Sequence, residues 1–141
     1  MILVSACLAG INCKYNGGNN YNEKIFNMVK NGEAIPVCAE QLGGLTTPRI
    51  PTEIQIIDGK RHAINKQGED VTKYFEKGAE EILSLAKKLN ITKAILQPRS
   101  PSCGAGKIYS GKFDGRLLDG NGFLADILIK NGIEVISVED I

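Results

Sequence analysis

Three of the four cysteines in this chain follow short apolar runs that are typical of buried strands. They are Cys7 after residues 2–6, Cys38 after residues 34–37, and Cys103 in the loop that follows residues 93–97. Open α/β sheets place their chemistry in the crevice outside the carboxyl ends of the strands. Thiolates are soft ligands that select zinc, copper(I) or iron–sulfur clusters. The pattern therefore predicts that thiols far apart in the chain converge on one small pocket.

The spacing of the cysteines distinguishes a zinc site from an iron–sulfur cluster. A closed structural zinc site normally draws on two pairs of cysteines about two to four residues apart. Here only Cys7 and Cys13 lie close together, and the loop between them is not a zinc knuckle. Three ligands from separate strand ends favour an iron–sulfur cluster that lacks one protein ligand, and such an iron can act as a Lewis acid. The alternative is that some of these thiols are buried small hydrophobes.

Net charge and hydropathy argue against nucleic-acid-binding, membrane and secreted proteins. The 141 residues carry a formal net charge of +1 with acids and bases mixed along the chain, so we expect neither nucleic-acid nor membrane binding. No apolar run approaches the roughly 20 residues that span a bilayer, and the N-terminal run lacks the basic start of a secretory signal. We therefore expect a cytoplasmic protein whose reduced thiols serve metal binding or catalysis.

Apolar runs and helical periodicities predict strands separated by helices. The predicted elements are strands at 2–6, 34–37, 93–97 and 133–137, helices at 22–31, 71–89 and 122–130, and a hairpin of residues 53–57 and 61–65. Asn22 and Asp70 are the expected helix caps. The strand runs are apolar rather than alternating, which favours a mostly parallel sheet covered on both faces. We expect one Rossmann-like, three-layer α/β domain over residues 1–141, with the hairpin at the edge of its sheet.

Two long connections are expected to be irregular. Residues 38–51 form a loop that is longer than most connections in a compact domain, which raises the chance that it is functional. Residues 108–116, rich in turn formers, are expected to make a second excursion without regular structure.

Short motifs with a fixed order run along nearly the whole chain. They are SACLAG at 5–10, CKYNG at 13–17, PVCAE at 36–40, GGL at 43–45, PRIPTE at 48–53, GEDVT at 68–72, SPSCG at 100–104, IYSGKF at 108–113 and GNG at 120–122. This set resembles a small bacterial and archaeal family, long catalogued as a domain of unknown function, that includes the thiouracil desulfidases. The chain departs from the family pattern at Ala39, where proline is common, and at 97–99, where a lysine or an acidic residue is expected.

The resemblance implies a [4Fe–4S] cluster that is held by Cys7, Cys38 and Cys103 and has its fourth iron open to a substrate sulfur. It also implies hydrolytic removal of sulfur from a small-molecule thiolated pyrimidine such as 2-thiouracil, which gives the oxo base and sulfide. Such an exposed cluster is readily lost in air. Cys13 is expected to be a loop thiol near the site rather than a ligand.

Catalytic residues are also implied by the motifs. Glu40 matches the catalytic carboxylate of the family, which would act as a general base toward water in a partly dry pocket. A serine of the SPSC motif, Ser100 or Ser102, matches its second polar catalyst, and we favour Ser100. Without the resemblance, Glu40 would be interpreted as a solvated loop acid and the serines as turn formers.

Other residues are candidates for substrate contacts. Arg49, between two prolines, is expected to bind a polar substrate group or to pair with a surface acid. Gly43, Gly44 and Gly104 are expected to let the backbone approach a cluster sulfide or an anion, with ordinary turns as the alternative.

The three remaining candidates carry aromatic rings. Tyr15 and Tyr109 are expected to stack on a base or to pack in the core. His62, the single histidine, is expected on the surface outside the site.

Two other functions fit the same residues. One is a non-catalytic sulfur-carrier or metal-binding module built on the thiols. The other is a binding domain for a nucleotide-like ligand that uses the glycine loops and Arg49 without the cysteines.

Overall fold

Besides two short 3₁₀ helices (Ala6–Ala9 and Val138–Asp140), the computed structural model describes residues 1–141 as four α-helices and eight strands. In chain order these are β1 Ile2–Ser5, α1 Glu23–Lys30, β2 Ala34–Val37, α2 Ala39–Leu42, β3 Thr52–Ile57, β4 Lys60–Asn65, α3 Thr72–Lys88, β5 Lys93–Leu96, β6 Lys107–Tyr109, β7 Leu117–Asp119, α4 Phe123–Lys130 and β8 Glu134–Ser137. The main sheet has the order β2-β1-β5-β8, and all of its strand pairs are parallel. No helix is both long and apolar enough to cross a membrane.

The main sheet is buried on both faces, as apolar parallel strands require. Neighbouring residues of β1 point to opposite faces. Leu3 packs in a cluster with Ile82 of α3 and Leu124 of α4, whereas Val4 packs in a second cluster with Ile25 of α1. All five side chains are fully buried. The prediction of a three-layer α/β fold with a mostly parallel sheet is confirmed.

The helix caps differ in how well the sequence predicts them. The Asn22 side chain accepts a hydrogen bond from the Ile25 N–H (3.2 Å), as expected for the cap of α1. The prediction of Asp70 as the cap of α3 is wrong by one position, because Val71 occupies the N-cap. Asp70 nevertheless accepts the first helical N–H, that of Thr72, at 2.9 Å.

The predicted position of the first hairpin is wrong. Strands β3 and β4 pair with each other but not with the main sheet, and they pack against α3 and β6. The outer edge of β4 is already occupied, since the segment leading to α3 folds back on it. Val71 donates its N–H to the Ala63 carbonyl (2.8 Å), and Asn65 donates to Glu69 (2.9 Å). β4 therefore cannot extend another sheet through this edge.

Both connections that were expected to be irregular contain regular structure. The first begins with the four-residue helix α2, and the second includes the end of β6 and the loop that joins it to β7 in a hairpin. Helix α2 lies against α3 because two glycines remove side chains from the contact. A Cβ on Gly78 would lie 1.8 Å from the Ala39 carbonyl oxygen, and one on Gly43 would lie 1.9 Å from that of Tyr74.

Candidate metal centre

A cavity of about 400 Å³ lies at the carboxyl edge of the main sheet, and all four cysteines line it. Cys7 lies in the 3₁₀ helix that follows β1, Cys38 is the N-cap of α2 directly after β2, and Cys103 lies in the loop after β5. Because β2, β1 and β5 are adjacent parallel strands, their carboxyl ends meet at one edge. The structure therefore brings together thiols that are far apart in the sequence.

The donor set fits a cluster better than a single ion. All four cysteines are free thiols, and no three ligand-type side chains are close enough together to hold one metal ion. A cubane binds each thiolate through a different iron, so its ligands lie farther apart than those of a tetrahedral zinc ion. Three thiols at the ends of adjacent strands around one cavity are therefore a donor set that fits such a core.

The cavity places the thiols in different electrostatic environments. Burial raises the pKa of the Cys103 thiol to about 12 and also raises the pKa of Cys7. A hydrogen bond between the Cys13 and Cys38 thiols lowers the pKa of Cys38 and raises that of Cys13. Metal binding requires thiolates, so loading of this site would release protons.

Cys13 lies beside the expected ligands. It is 2% exposed, and its carbonyl oxygen lies 3.9 Å from the Cys38 Sγ. Two further side chains contact the sulfurs of expected ligands, and the sequence analysis does not identify them. The Ser5 hydroxyl donates to the Cys103 Sγ (3.2 Å), and the Asn20 amide donates to the Cys7 Sγ (3.8 Å).

The Glu40 carboxylate is held from both sides at the wall of the cavity. It lies in the first turn of α2, two residues after Cys38. Its Oε1 accepts a hydrogen bond from the Arg49 Nε (3.0 Å), and its Oε2 accepts one from the Ser102 hydroxyl (3.1 Å). The side chain is 16% exposed, so Glu40 is a fixed carboxylate and not a solvated loop acid.

Arg49 has little capacity left for a substrate. Besides Glu40, its guanidinium donates to the Thr46 carbonyl (3.3 Å), the Thr47 hydroxyl (2.9 Å) and the Cys13 carbonyl (2.8 Å). Four of its five N–H groups are thus used within the protein, and its side chain is only 8% exposed. Arg49 therefore holds Glu40, and the expected contact of Arg49 with a substrate stays a prediction.

The two candidate serines have different partners. Ser102 is 2% exposed and donates its hydroxyl to Glu40. The Ser100 Oγ accepts the N–H of Cys103 (2.7 Å), and its hydroxyl hydrogen has no acceptor within the protein. Both serines line the cavity. Ser102 therefore positions the carboxylate, whereas Ser100 retains a free donor.

The loop that carries Cys103 is fastened by the N-terminus of α4. Phe123 donates its N–H to the Pro101 carbonyl (2.8 Å), Leu124 donates to Ser102 (2.9 Å), and Gly122 donates to Gly104 (2.7 Å). The unpaired N–H groups of a helix start need such acceptors. The loop gains a rigid support that lies downstream of it in the chain.

The three candidate glycines do not line the cavity. Gly43 allows contact with the Tyr74 carbonyl, and Gly44 lies against the Tyr74 ring. Gly104 is buried, and a Cβ there would lie 2.8 Å from the Ser100 carbonyl oxygen and 2.9 Å from that of Lys107. Gly43 and Gly104 thus allow neighbouring carbonyl groups to approach closely, whereas a Cβ on Gly44 would make only ordinary contact with the Tyr74 ring.

The tyrosines and the histidine lie at separate places. Tyr15 and Tyr109 line the cavity and are 45% and 37% exposed, which places them at its mouth and not in the core. His62 lies on β4, outside the cavity, and its Nδ1 is 2.7 Å from the Asp70 carboxylate.

Comparison with known proteins matches this geometry to a family. The family model for 2-thiouracil desulfurase matches residues 2–140. The uncharacterized protein YbbK of Bacillus subtilis (strain 168) is 42% identical over 147 residues, covering 100% of this chain and 97% of that protein. A solved structure of the [4Fe–4S]-dependent thiouracil desulfidase TudS is 38% identical with a TM-score of 0.90, and covers 98% of this chain and 90% of that one.

Proposed function

This chain belongs to the 2-thiouracil desulfurase family, and from that membership we propose that it is a [4Fe–4S]-dependent desulfidase. Its reaction would be C=S + H₂O → C=O + H₂S on a small thiolated pyrimidine such as 2-thiouracil. A C–O bond forms, the C–S bond breaks, and the sulfur leaves as sulfide without any change of oxidation state. The supporting observation is the convergence of three thiols beside a carboxylate that is held by Arg49 and Ser102.

Cys7, Cys38 and Cys103 would hold the cluster. When it is bound, the cluster supplies an iron without a protein thiolate, which can act as a Lewis acid toward a substrate sulfur. Cys13, also in the cavity, remains a neighbouring thiol that contacts Cys38.

Glu40 would be the general base that takes a proton from the attacking water. Each carboxylate oxygen has further acceptor capacity beyond its bond to Arg49 or Ser102. The two donors fix the direction of these remaining lone pairs. A base held in this way needs little reorganisation when the water approaches, and a positioned base typically contributes about 10²–10⁴-fold in rate.

Ser100 would bind and orient the pyrimidine through its free hydroxyl hydrogen. Its oxygen is fixed by the Cys103 N–H, so the donor is carried by the same loop as a proposed cluster ligand. Tyr15 and Tyr109 at the mouth would stack on the ring. The nucleotide-binding alternative loses its support, because the glycines lie outside the cavity and Arg49 is occupied.

The first test is anaerobic reconstitution with iron and sulfide. Wild type and Cys13→Ala are expected to bind about four irons per chain and to show the same cluster spectrum, as for one cubane. Cys103→Ala is expected to lose this loading. Cys13→Ala is the matched control because it removes a thiol from the same cavity. Loading that depends on Cys13 as strongly as on Cys103 would contradict the proposed ligand set.

The second test measures sulfide release from a panel of thiolated bases by the loaded protein. Glu40→Gln is expected to keep its cluster and lose at least about 100-fold in rate, the contribution of a positioned base. An intact cluster without sulfide release in the wild type would refute the enzyme and favour the sulfur-carrier or metal-binding module.

A further inference from the structure

Two hydrogen-bond donors contact the sulfurs of proposed cluster ligands without being ligands themselves. The Ser5 Oγ lies 3.2 Å from the Cys103 Sγ, and the Asn20 Nδ2 lies 3.8 Å from the Cys7 Sγ. Hydrogen bonds of this kind are one of the means by which a protein tunes an iron–sulfur cluster. Both donors line the cavity.

The direction of the Ser5 hydroxyl is fixed by its surroundings. Ser5 is the last residue of β1 and is 2% exposed. Its Oγ accepts the backbone N–H of Gln97 at 2.9 Å. A hydroxyl has a single hydrogen, so the donated N–H directs that hydrogen away from Gln97 and toward Cys103. The bond to sulfur thus follows from the arrangement of two neighbouring strands.

The direction of the Asn20 amide is fixed in the same manner. Its Oδ1 accepts a hydrogen bond from the Lys14 Nζ at 3.1 Å. An ammonium group can only donate, so the amide oxygen faces Lys14 and the NH₂ group faces Cys7. The Asn20 backbone N–H also donates to the Cys7 carbonyl (2.9 Å), which holds the two residues together.

We propose that Ser5 and Asn20 are positioning residues that set the electron-accepting strength of the cluster through hydrogen bonds to Cys103 and Cys7. The proposal rests on the cluster of the proposed function. A donated hydrogen bond withdraws electron density from a thiolate and stabilises added negative charge nearby. The reduction potential rises as a result, and the irons become better acceptors for a substrate sulfur.

A purely structural role makes a different prediction. β1 pairs with β5 at Leu3 and Val4, and the bond between Ser5 and Gln97 continues the contact between the strands by one residue. If that were its entire role, the loss of the hydroxyl would lower stability and leave the loaded cluster unchanged.

The experiment compares the reduction potential of the reconstituted, substrate-free cluster in wild type and four variants. Ser5→Ala and Asn20→Ala each remove one donor to sulfur, whereas Ser5→Thr keeps the hydroxyl. Ser137→Ala is the matched control. Ser137 ends β8, which pairs with β5 on the side away from β1. Its hydroxyl oxygen accepts the Glu139 N–H (3.2 Å), but it makes no hydrogen bond to a cysteine.

Ser5→Ala and Asn20→Ala are expected to shift the potential to more negative values, while Ser5→Thr and Ser137→Ala stay at the wild-type value. A loaded Ser5→Ala protein with the wild-type potential would overturn the proposal, as would an equal shift in Ser137→Ala. If Ser5→Ala binds no cluster, the reduction potential of Asn20→Ala tests the proposal, and a wild-type potential in that variant overturns the proposal. A wild type that binds no cluster would refute the proposed function itself, and that outcome is read from the iron content alone.

Discussion

Replacement of Arg49 by methionine removes the cation that holds Glu40. The two side chains are 8% and 16% exposed and are joined at 3.0 Å. An exposed ion pair contributes at most about 1 kcal/mol, whereas removal of one partner from a buried pair costs about 3–5 kcal/mol. Because Glu40 keeps some contact with water and its bond to Ser102, we expect Arg49→Met to lower the free energy of unfolding by about 2–3 kcal/mol. That loss corresponds to a fall in Tm of about 5–10 °C.

A double-mutant cycle isolates the pair. Glu40→Gln removes the charge and keeps the shape, so Arg49→Met combined with Glu40→Gln leaves no buried charge without a partner. The double variant is expected to lose about 1–2 kcal/mol less than the sum of the single losses. Urea unfolding of the cluster-free protein under anaerobic, reducing conditions measures all four free energies.

The matched control is Arg99→Met. The pair of Arg99 with Glu139 has a similar separation of 3.1 Å, but its side chains are 37% and 56% exposed. Its loss is expected to change the free energy of unfolding by less than about 1 kcal/mol. Arg49→Met and Arg99→Met with the same stability, or an additive double mutant, would refute the argument from burial.

Two further predictions concern the packing of α2 and the reactivity of the thiols. Gly78→Ala places a methyl group 1.8 Å from the Ala39 carbonyl oxygen, so urea unfolding should show that the free energy of unfolding falls by at least about 2 kcal/mol. The control Ser84→Ala, on the exposed face of the same helix, should lower it by less than about 0.5 kcal/mol. Equal stability of the two variants would contradict the packing argument. In the cluster-free protein at pH 7, iodoacetamide should alkylate Cys38 before Cys103. A thiol hydrogen bond lowers the pKa of Cys38, whereas burial raises the pKa of Cys103 to about 12. Equal alkylation rates, measured by peptide mass spectrometry, would contradict this order.

The sheet and the meeting of the thiols could be predicted because the relevant signals are local. Each strand is a short apolar run that ends at a turn former or at a cysteine, and parallel strands present their carboxyl ends at one edge. Helix α2 could not be predicted, because the four residues Ala39–Leu42 are too few to show a helical period. The placement of the first hairpin depended on which edge the chain leading to α3 would cover, and no local pattern contains that information.

The finer features of the site depend on partners that are distant in sequence. Arg49 is recognisable as a cation in a functional loop, but its contacts with Glu40 and the Cys13 carbonyl exist only after the loop has folded. The sequence shows that Gly43 lacks a side chain, but not that the Tyr74 carbonyl approaches it. Ser5 is a single polar residue in an apolar strand, and its partner sulfur lies 98 residues away.

The support of the Cys103 loop by α4 has a consequence for biosynthesis. The N–H groups that hold this loop belong to residues 122–124, which follow the last proposed ligand in the chain. A nascent polypeptide that has already exposed all three proposed ligand cysteines still lacks the hydrogen bonds that hold the loop of the third, so an iron–sulfur donor would meet an incompletely folded site. We expect stable cluster binding only after residues 122–124 have folded against this loop, and a chain that stops at residue 121 to bind less iron than the intact protein.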